Sequence, residues 1–255
     1  LRVLGKPADF AKYYYENGAD ELIFMDVVAS LYGRNSLHDI ISQTAKEIFI
    51  PITVGGGLRS ISDIKEVLRA GADKVCFNTA AINNPNLIKE ASMMFGSSTI
   101  VIAIEAIKES ENKYQVYTDN GREYTGIDVF EWAKKVEILG AGEIVITSVD
   151  NEGTMKGVDI DLVKQVSSLV NIPVIAHGGI GNYSHAVDAI KSGFADALMI
   201  SSMFHYNSLS KIKSNSSELE GNSQFLKNNK NHKSNNISIK GLKAELLKNN
   251  IDCRI

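Results

Sequence analysis

The chain has 255 residues, 44% of them hydrophobic, a formal net charge of −3 and a pI near 6.0, enough for one large α/β domain or two small ones. No basic run sits beside aromatic residues, so nucleic acid finds no electrostatic footprint. No apolar stretch approaches the roughly 18 residues of a membrane span, and no signal-peptide core opens the chain, which therefore reads as cytoplasmic.

Short apolar runs follow one another with helical patterns between them: "ELIFMD" (21–26), "IPITVG" (50–55), "KVCFN" (74–78), "TIVIAIE" (99–105), "EIVITSV" (143–149), "PVIAHG" (173–178) and "ALMIS" (197–201). Their nearly continuous apolar character predicts parallel strands buried on both faces. "SISDIKEVLRAGA" predicts a helix capped by Ser60 or Ser62 and stopped by Gly71. The segment 114–124, "YQVYTDNGREY", alternates around Asn120-Gly121 and predicts a β-hairpin inserted after the fourth strand. Cys76 and Cys253 are too few and too isolated for a disulfide framework or a Cys-based zinc site; no metal and no cofactor is expected. From 207 to 236, Asn, Ser and Lys fill 20 of 30 positions, which marks a low-complexity insertion in which His232 is simply solvated. Beyond it, 237–255 predicts a closing helix with Leu242, Leu246 and Leu247 on its apolar face.

The phrases also repeat. "NGADELIFMD" begins at 17 and "LGAGEIVITS" at 139, "IPITVGGGL" at 50 and "IPVIAHGGI" at 172, both pairs 122 residues apart; "GADKVCFNT" at 71 and "FADALMISS" at 194 are 123 apart. Two similar halves of about four strands each predict a (β/α)8 barrel over 1–206, completed by the last helix. "TIVIAIEA" (99–106) opens the second half, and its counterpart would lie upstream of Leu1, so the first strand of the barrel is expected to be missing from this chain.

In such a barrel the functional face is at the C-terminal ends of the strands, where backbone N–H groups often hold phosphate. Gly55, Gly56 and Gly57 fall at one strand end and Asn78-Thr79 at the next. Gly178 and Gly179, with Ser201 and Ser202, repeat the pattern, and Gly153 and Thr154 lie nearby. Glycines permit φ above zero and let the backbone approach an anion; the competing explanation is tight turns that need glycine for themselves. Two such cradles suit a long substrate phosphorylated at both ends. Asp26, Glu105 and Asp150 are strand-end carboxylates placed to move protons between them. His177, beside the second cradle, either donates to phosphate or fills space.

"GADELIFMDVVAS", "IPITVGGGLRS", "GADKVCFNTAAINNPNLI", "GAGEIVITSVDNEGT", "GGIG", "MFHY" and the closing "LKAELLKNNIDCRI" resemble the cyclase subunit of imidazole glycerol phosphate synthase along nearly the whole chain. The sister two-phosphate isomerase of the histidine pathway resembles these phrases less. The resemblance implies a cyclase that takes ammonia from a glutaminase partner docked on the bottom of the barrel. It would convert a ribulosyl bis-phosphate aminoimidazole carboxamide ribonucleotide into imidazole glycerol phosphate and the carboxamide nucleotide. Carried over, Gly57, Asn78 and Thr79 match one phosphate site; Gly153, Gly179, Ser201 and Ser202 match the other, with Ser201 for a usual Ala and Glu152 for a usual Asp. Asp73 and Lys74 would face the partner. Glu105 stands where the family carries a catalytic Asp, and the family's other catalytic Asp lies on the strand not present here. The Glu, the Ser and the Asn/Ser/Lys segment leave a second possibility open: a paralogous ammonia-conducting barrel that serves amidation of a surface-polysaccharide sugar.

Overall fold

The computed structural model describes residues 6–26, 38–208, 211–212 and 237–254. The seven expected runs form β1 (Leu22–Met25), β2 (Ile52–Gly55), β3 (Lys74–Phe77), β4 (Ile100–Ser110), β7 (Glu143–Ser148), β8 (Val174–His177) and β9 (Ala197–Met199). They pair in parallel in that order, β1-β2-β3-β4-β7-β8-β9. The hairpin is present as β5 (Lys113–Thr118) and β6 (Glu123–Asp128), with β5 antiparallel to the long outer part of β4.

Helices cover one face of this sheet: α1 (Pro7–Glu16), α2 (His38–Thr44), α3 (Ile61–Arg69), α4 (Thr79–Asn83), α5 (Asn86–Phe95), α6 (Val129–Ile138), α7 (Ile160–Leu169), α8 (Tyr183–Lys191), α9 (Ser202–Ser208) and α10 (Ile239–Lys248). Each boundary has a local cause. Ser60, not Ser62, caps α3: its Oγ accepts the Asp63 N–H while the Asp63 carboxylate accepts the Ser60 N–H at 2.9 Å. Asp128, Asp159, Asn182 and Ser238 cap α6, α7, α8 and α10 in the simpler way. In α10, Leu242 and Leu246 are buried, whereas Leu247 turns outward, contrary to expectation. The α9 helix runs to Ser208, past the expected boundary at 206, and most of the 207–236 segment, His232 included, lies outside the described residues.

Two apolar clusters show that the sheet curls. The large one fills the space between strands and helices. The small one, Cys76, Val101, Ala103 and Val145, lies on the inner face and receives Ile23 from β1 as well as Met199 from β9, the two ends of the strand path. Elements at opposite ends of a sheet touch one cluster only if the sheet bends round it, as in a (β/α)8 barrel. Among the described residues β1 and β9 have no ladder to each other, and both are less buried than β2 or β7 between them.

The sequence repeat is a structural duplication. Asp73 accepts the Ile52 N–H at 2.8 Å, and Asp196 accepts the Val174 N–H at 2.8 Å. A Cβ on Gly56 would lie 2.2 Å from Asp26 O; one on Gly178 would lie 2.5 Å from Ser148 O. Each half thus ties the start of a strand with one aspartate and crosses its end with one bare glycine.

Candidate active site

Strand alternation sorts the inner side chains into layers. At the N-terminal end, Lys74 Nζ meets Glu143 at 2.7 Å and Glu21 at 2.9 Å, and Thr53 Oγ1 donates to Glu21 at 2.9 Å. Burial alone would lower the Lys74 pKa, but these two carboxylates outweigh it and hold it above the usual lysine value. The apolar cluster forms the middle layer. At the C-terminal end, the register aligns Tyr117, Glu105, Thr147, His177 and Met199 across β5, β4, β7, β8 and β9.

Glu105 is largely buried in this mouth. Burial raises its pKa above the ordinary carboxylate value; the Gly121 N–H, donating to Oε2 at 2.8 Å, and the Asn78 side chain act against that rise, while Glu152 and Asp119 add to it. Gly121 reaches Glu105 because Asp119, Asn120 and Gly121 all take positive φ, folding the hairpin tip inward over the mouth. The tip also engages the first expected cradle. Asn78 Nδ2 donates to Tyr117 O at 2.9 Å, and Thr79 Oγ1 accepts the Asp119 N–H at 3.3 Å. Asn78 Oδ1 is buried without a partner among the described residues.

The second cradle is a cleft whose wall includes Gly153, Gly178, Gly179, Ser201 and Ser202, all five of them singled out by the sequence. Glu152 and His177 join them. The loop after β7 is laid over the end of β8 by Gly157 N–H to Gly179 O at 2.8 Å and by Asn151 Nδ2 to Gly157 O at 3.0 Å, which brings Gly153 to the cleft. His177 Nδ1 contacts Thr147 Oγ1 at 3.1 Å, and burial depresses the ring's pKa against the opposing effect of Glu152.

Several expected residues are placed otherwise. Asp150 sits in a 3-10 turn, exposed, its Oδ2 accepting the Lys108 N–H at 3.0 Å on the outer side of β4. That carboxylate steadies the hairpin arm and does not face the mouth. Thr154 is exposed and donates its hydroxyl to Asn151 O at 2.7 Å, away from the cleft wall. Asp73 is at the N-terminal end, as expected, but its carboxylate is engaged by the Ile52 N–H. Gly56 is filled from behind by the Asp26 backbone, and Asp26 N–H bonds Gly55 O at 2.9 Å, so the backbone approach by itself requires a glycine here, as it does at Gly178. Gly57 follows it at φ 70°. Glu21, Glu143 and Thr147 escaped the sequence reading. Their signal was a polar residue on the inward side of a strand, which registers only once the inward side is known.

A cleft walled by glycines and serines, with a buried carboxylate at the same C-terminal mouth of a curled parallel βα sheet, has the layout of the (β/α)-barrel enzymes, whose sites lie at that mouth. The model of the histidine biosynthesis protein family matches residues 1–210, and the chain belongs to that family. A Legionella pneumophila protein, "Imidazole glycerol phosphate synthase subunit HisF", is 59% identical over 181 residues, 71% of this chain and 85% of the relative. Proteins of the same name from Methanocaldococcus jannaschii and Methanococcus vannielii are 48% and 46% identical, each alignment covering 81% of this chain and 83% of the relative. The sugar-amidation alternative finds no support among these relatives.

Proposed function

We propose that the chain is the cyclase subunit of imidazole glycerol phosphate synthase, using glutaminase-derived ammonia to convert the ribulosyl bis-phosphate nucleotide into imidazole glycerol phosphate and the carboxamide nucleotide. The observation that carries this is the position of Glu105, a buried carboxylate with raised pKa between the Asn78-Thr79 strand end and the Ser201-Ser202 cleft. A substrate phosphorylated at both ends would lie across it. Gly57, Asn78 and Thr79 would take one phosphate, and Gly153, Gly178, Gly179, Ser201 and Ser202 the other. Glu105 then holds and returns protons to the segment between, a task for which a pKa moved toward neutrality is suited. The Gly121 N–H fixes the carboxylate, so the side chain, longer than the family's aspartate, has a defined place.

The N-terminal end of the barrel suits a partner. Phe49, Met94, Ile138, Leu169 and Phe194 are exposed large apolar residues just before strands or at helix ends, all at the end where strands begin. Lys74, Glu21 and Glu143 meet at this same end of the strands. Large exposed apolar residues gathered on one face mark a docking surface, and the relatives' own name calls them a subunit. We assign this face to the glutaminase, whose ammonia would enter past Lys74 into the barrel. Among the described residues no helix is long and apolar enough to cross a membrane; a cytoplasmic place goes with this reading.

The test supplies the ribulosyl substrate with ammonium and no glutaminase, and follows the loss of substrate absorbance. Turnover that collapses in Glu105→Gln is expected. Equal turnover in wild type and Glu105→Gln would refute the role given to Glu105, and no turnover by the full-length protein would refute the cyclase reading.

A further inference from the structure

His177 ends β8 with its ring between Thr147 and the second cleft. Thr147 is buried, and its hydroxyl has no hydrogen-bond partner among the described residues other than His177 Nδ1. Two arrangements satisfy that contact. If Nδ1–H donated to Oγ1, the hydroxyl proton would be left without an acceptor in a buried place; if the hydroxyl donates to Nδ1, only a lone pair goes unused. Orphaned buried donors are the rarer and costlier outcome. The hydroxyl therefore donates, Nδ1 accepts, and the ring proton sits on Nε2. Nε2 has no protein partner among the described residues and is not sealed from solvent, while the ring lines the cleft.

We infer that His177 is a ligand of the phosphate held in the second cleft, with Thr147 setting the imidazole tautomer so that Nε2–H donates into it. The inference rests on the proposed phosphate reading of that cleft and adds a residue to it. It also accounts for a chemical difficulty. Glu152, the charged side chain in the cleft wall, opposes an anion there, and the backbone N–H groups of Gly178 and Gly179 and the hydroxyls of Ser201 and Ser202 are neutral. β9 presents Met199 next to the ring, and Glu105 lies two strands away on β4. A neutral imidazole donates without needing a proton from solution. Once a dianion and Glu152 face it together, its affinity for a second proton rises.

Side-chain 1H–15N spectra of the full-length protein, with inorganic phosphate as the probe, test this. The free protein should show His177 as the neutral Nε2–H tautomer. Phosphate should shift that nitrogen together with the amides of Gly179 and Ser202, and raise the ring's pKa. His177→Gln should weaken phosphate binding by roughly tenfold, the scale of a hydrogen bond to a charged group. Thr147→Val, which retains the imidazole, should mix the tautomers and weaken binding by a smaller factor. Amide shifts without a response from the His177 ring would overturn the inference and leave the cradle standing. If neither the amides nor the ring respond, the phosphate reading of the cleft fails, and the inference with it.

Discussion

Replacing Gly56 by alanine separates the two reasons for a glycine at a strand end. Gly56 and Gly178 have φ of 94° and 97°, and their added Cβ atoms would stand 2.2 Å and 2.5 Å from the Asp26 and Ser148 carbonyl oxygens. Ordinary contact starts at 3.4 Å, so the overlaps are 3.4 − 2.2 = 1.2 Å and 3.4 − 2.5 = 0.9 Å, against backbone that cannot rotate aside. Gly18 has nearly the same φ, 90°, with nothing within 4 Å. Gly18→Ala should therefore cost only the left-handed conformation, about 1–2 kcal/mol. Gly56→Ala and Gly178→Ala should add about 1–3 kcal/mol of overpacking. For a chain of this size each kcal/mol lowers Tm by about 2–4 °C, so calorimetry should show a loss of about 4 °C for Gly18→Ala and about 10 °C for the other two. Gly153→Ala, also at positive φ with nothing within 4 Å, should match Gly18→Ala in Tm yet weaken phosphate. Equal Tm losses for Gly18→Ala and Gly56→Ala would refute the argument from backbone approach.

Three further outcomes follow from single groups. Burial raises the Glu105 pKa above its ordinary 4.5, so the folded chain keeps that proton to higher pH than the unfolded chain does, and stability attributable to the group falls as pH rises from 4.5 through the folded value. Glu105→Gln removes this penalty: its Tm should approach the wild-type value near pH 4.5 and exceed it increasingly toward neutrality, and a gap that stays constant with pH would count against it. Tyr14, pushed by burial to about 12, keeps its hydroxyl, which joins His205 Nδ1 and Ser208 Oγ where α1 packs on α9; Tyr14→Phe should cost about 1–2 kcal/mol in denaturant unfolding. Ile138→Asp and Phe194→Asp should weaken glutaminase binding by roughly tenfold or more in calorimetric titration while leaving ammonium-driven turnover intact, and unchanged partner affinity would remove the docking face.

The strands and their order were legible because parallel strands covered on both sides must be apolar nearly throughout, and the repeat told where the sheet turns back on itself. The same logic found the wall of the second cleft, since Gly178, Gly179, Ser201 and Ser202 follow directly on buried strands. It failed one step further from the strands. Asp150 and Thr154 lie in the loop after β7, where a 3-10 turn rotates side chains out of register, and each spends its polar atoms on nearby backbone. Leu247 failed for a related reason: three leucines at helical spacing do not say how wide the groove beneath them is. Thr147 sits inside an apolar run and Glu143 opens it, and one polar residue there gives no sign of the face it occupies.

What the duplication preserves and what it does not are different kinds of residue. Asp73 and Asp196 make the same bond at 2.8 Å, and Gly56 and Gly178 carry the same close backbone approach. Each of these holds a strand in place. The residues proposed to face a ligand have parted company: Asn78 and Thr79 are engaged by the hairpin tip, while Ser201 and Ser202 stand around an open cleft. The hairpin belongs to the second half yet closes on the first, with the Gly121 N–H on Glu105 between them. Thr79 Oγ1 only accepts there, from the Asp119 N–H, so its own hydroxyl proton stays free to donate to a ligand with the tip in place. The tip can therefore stay over the mouth with a ligand at Thr79, its Gly121 N–H holding the Glu105 carboxylate in place and opposing the rise that burial gives its pKa.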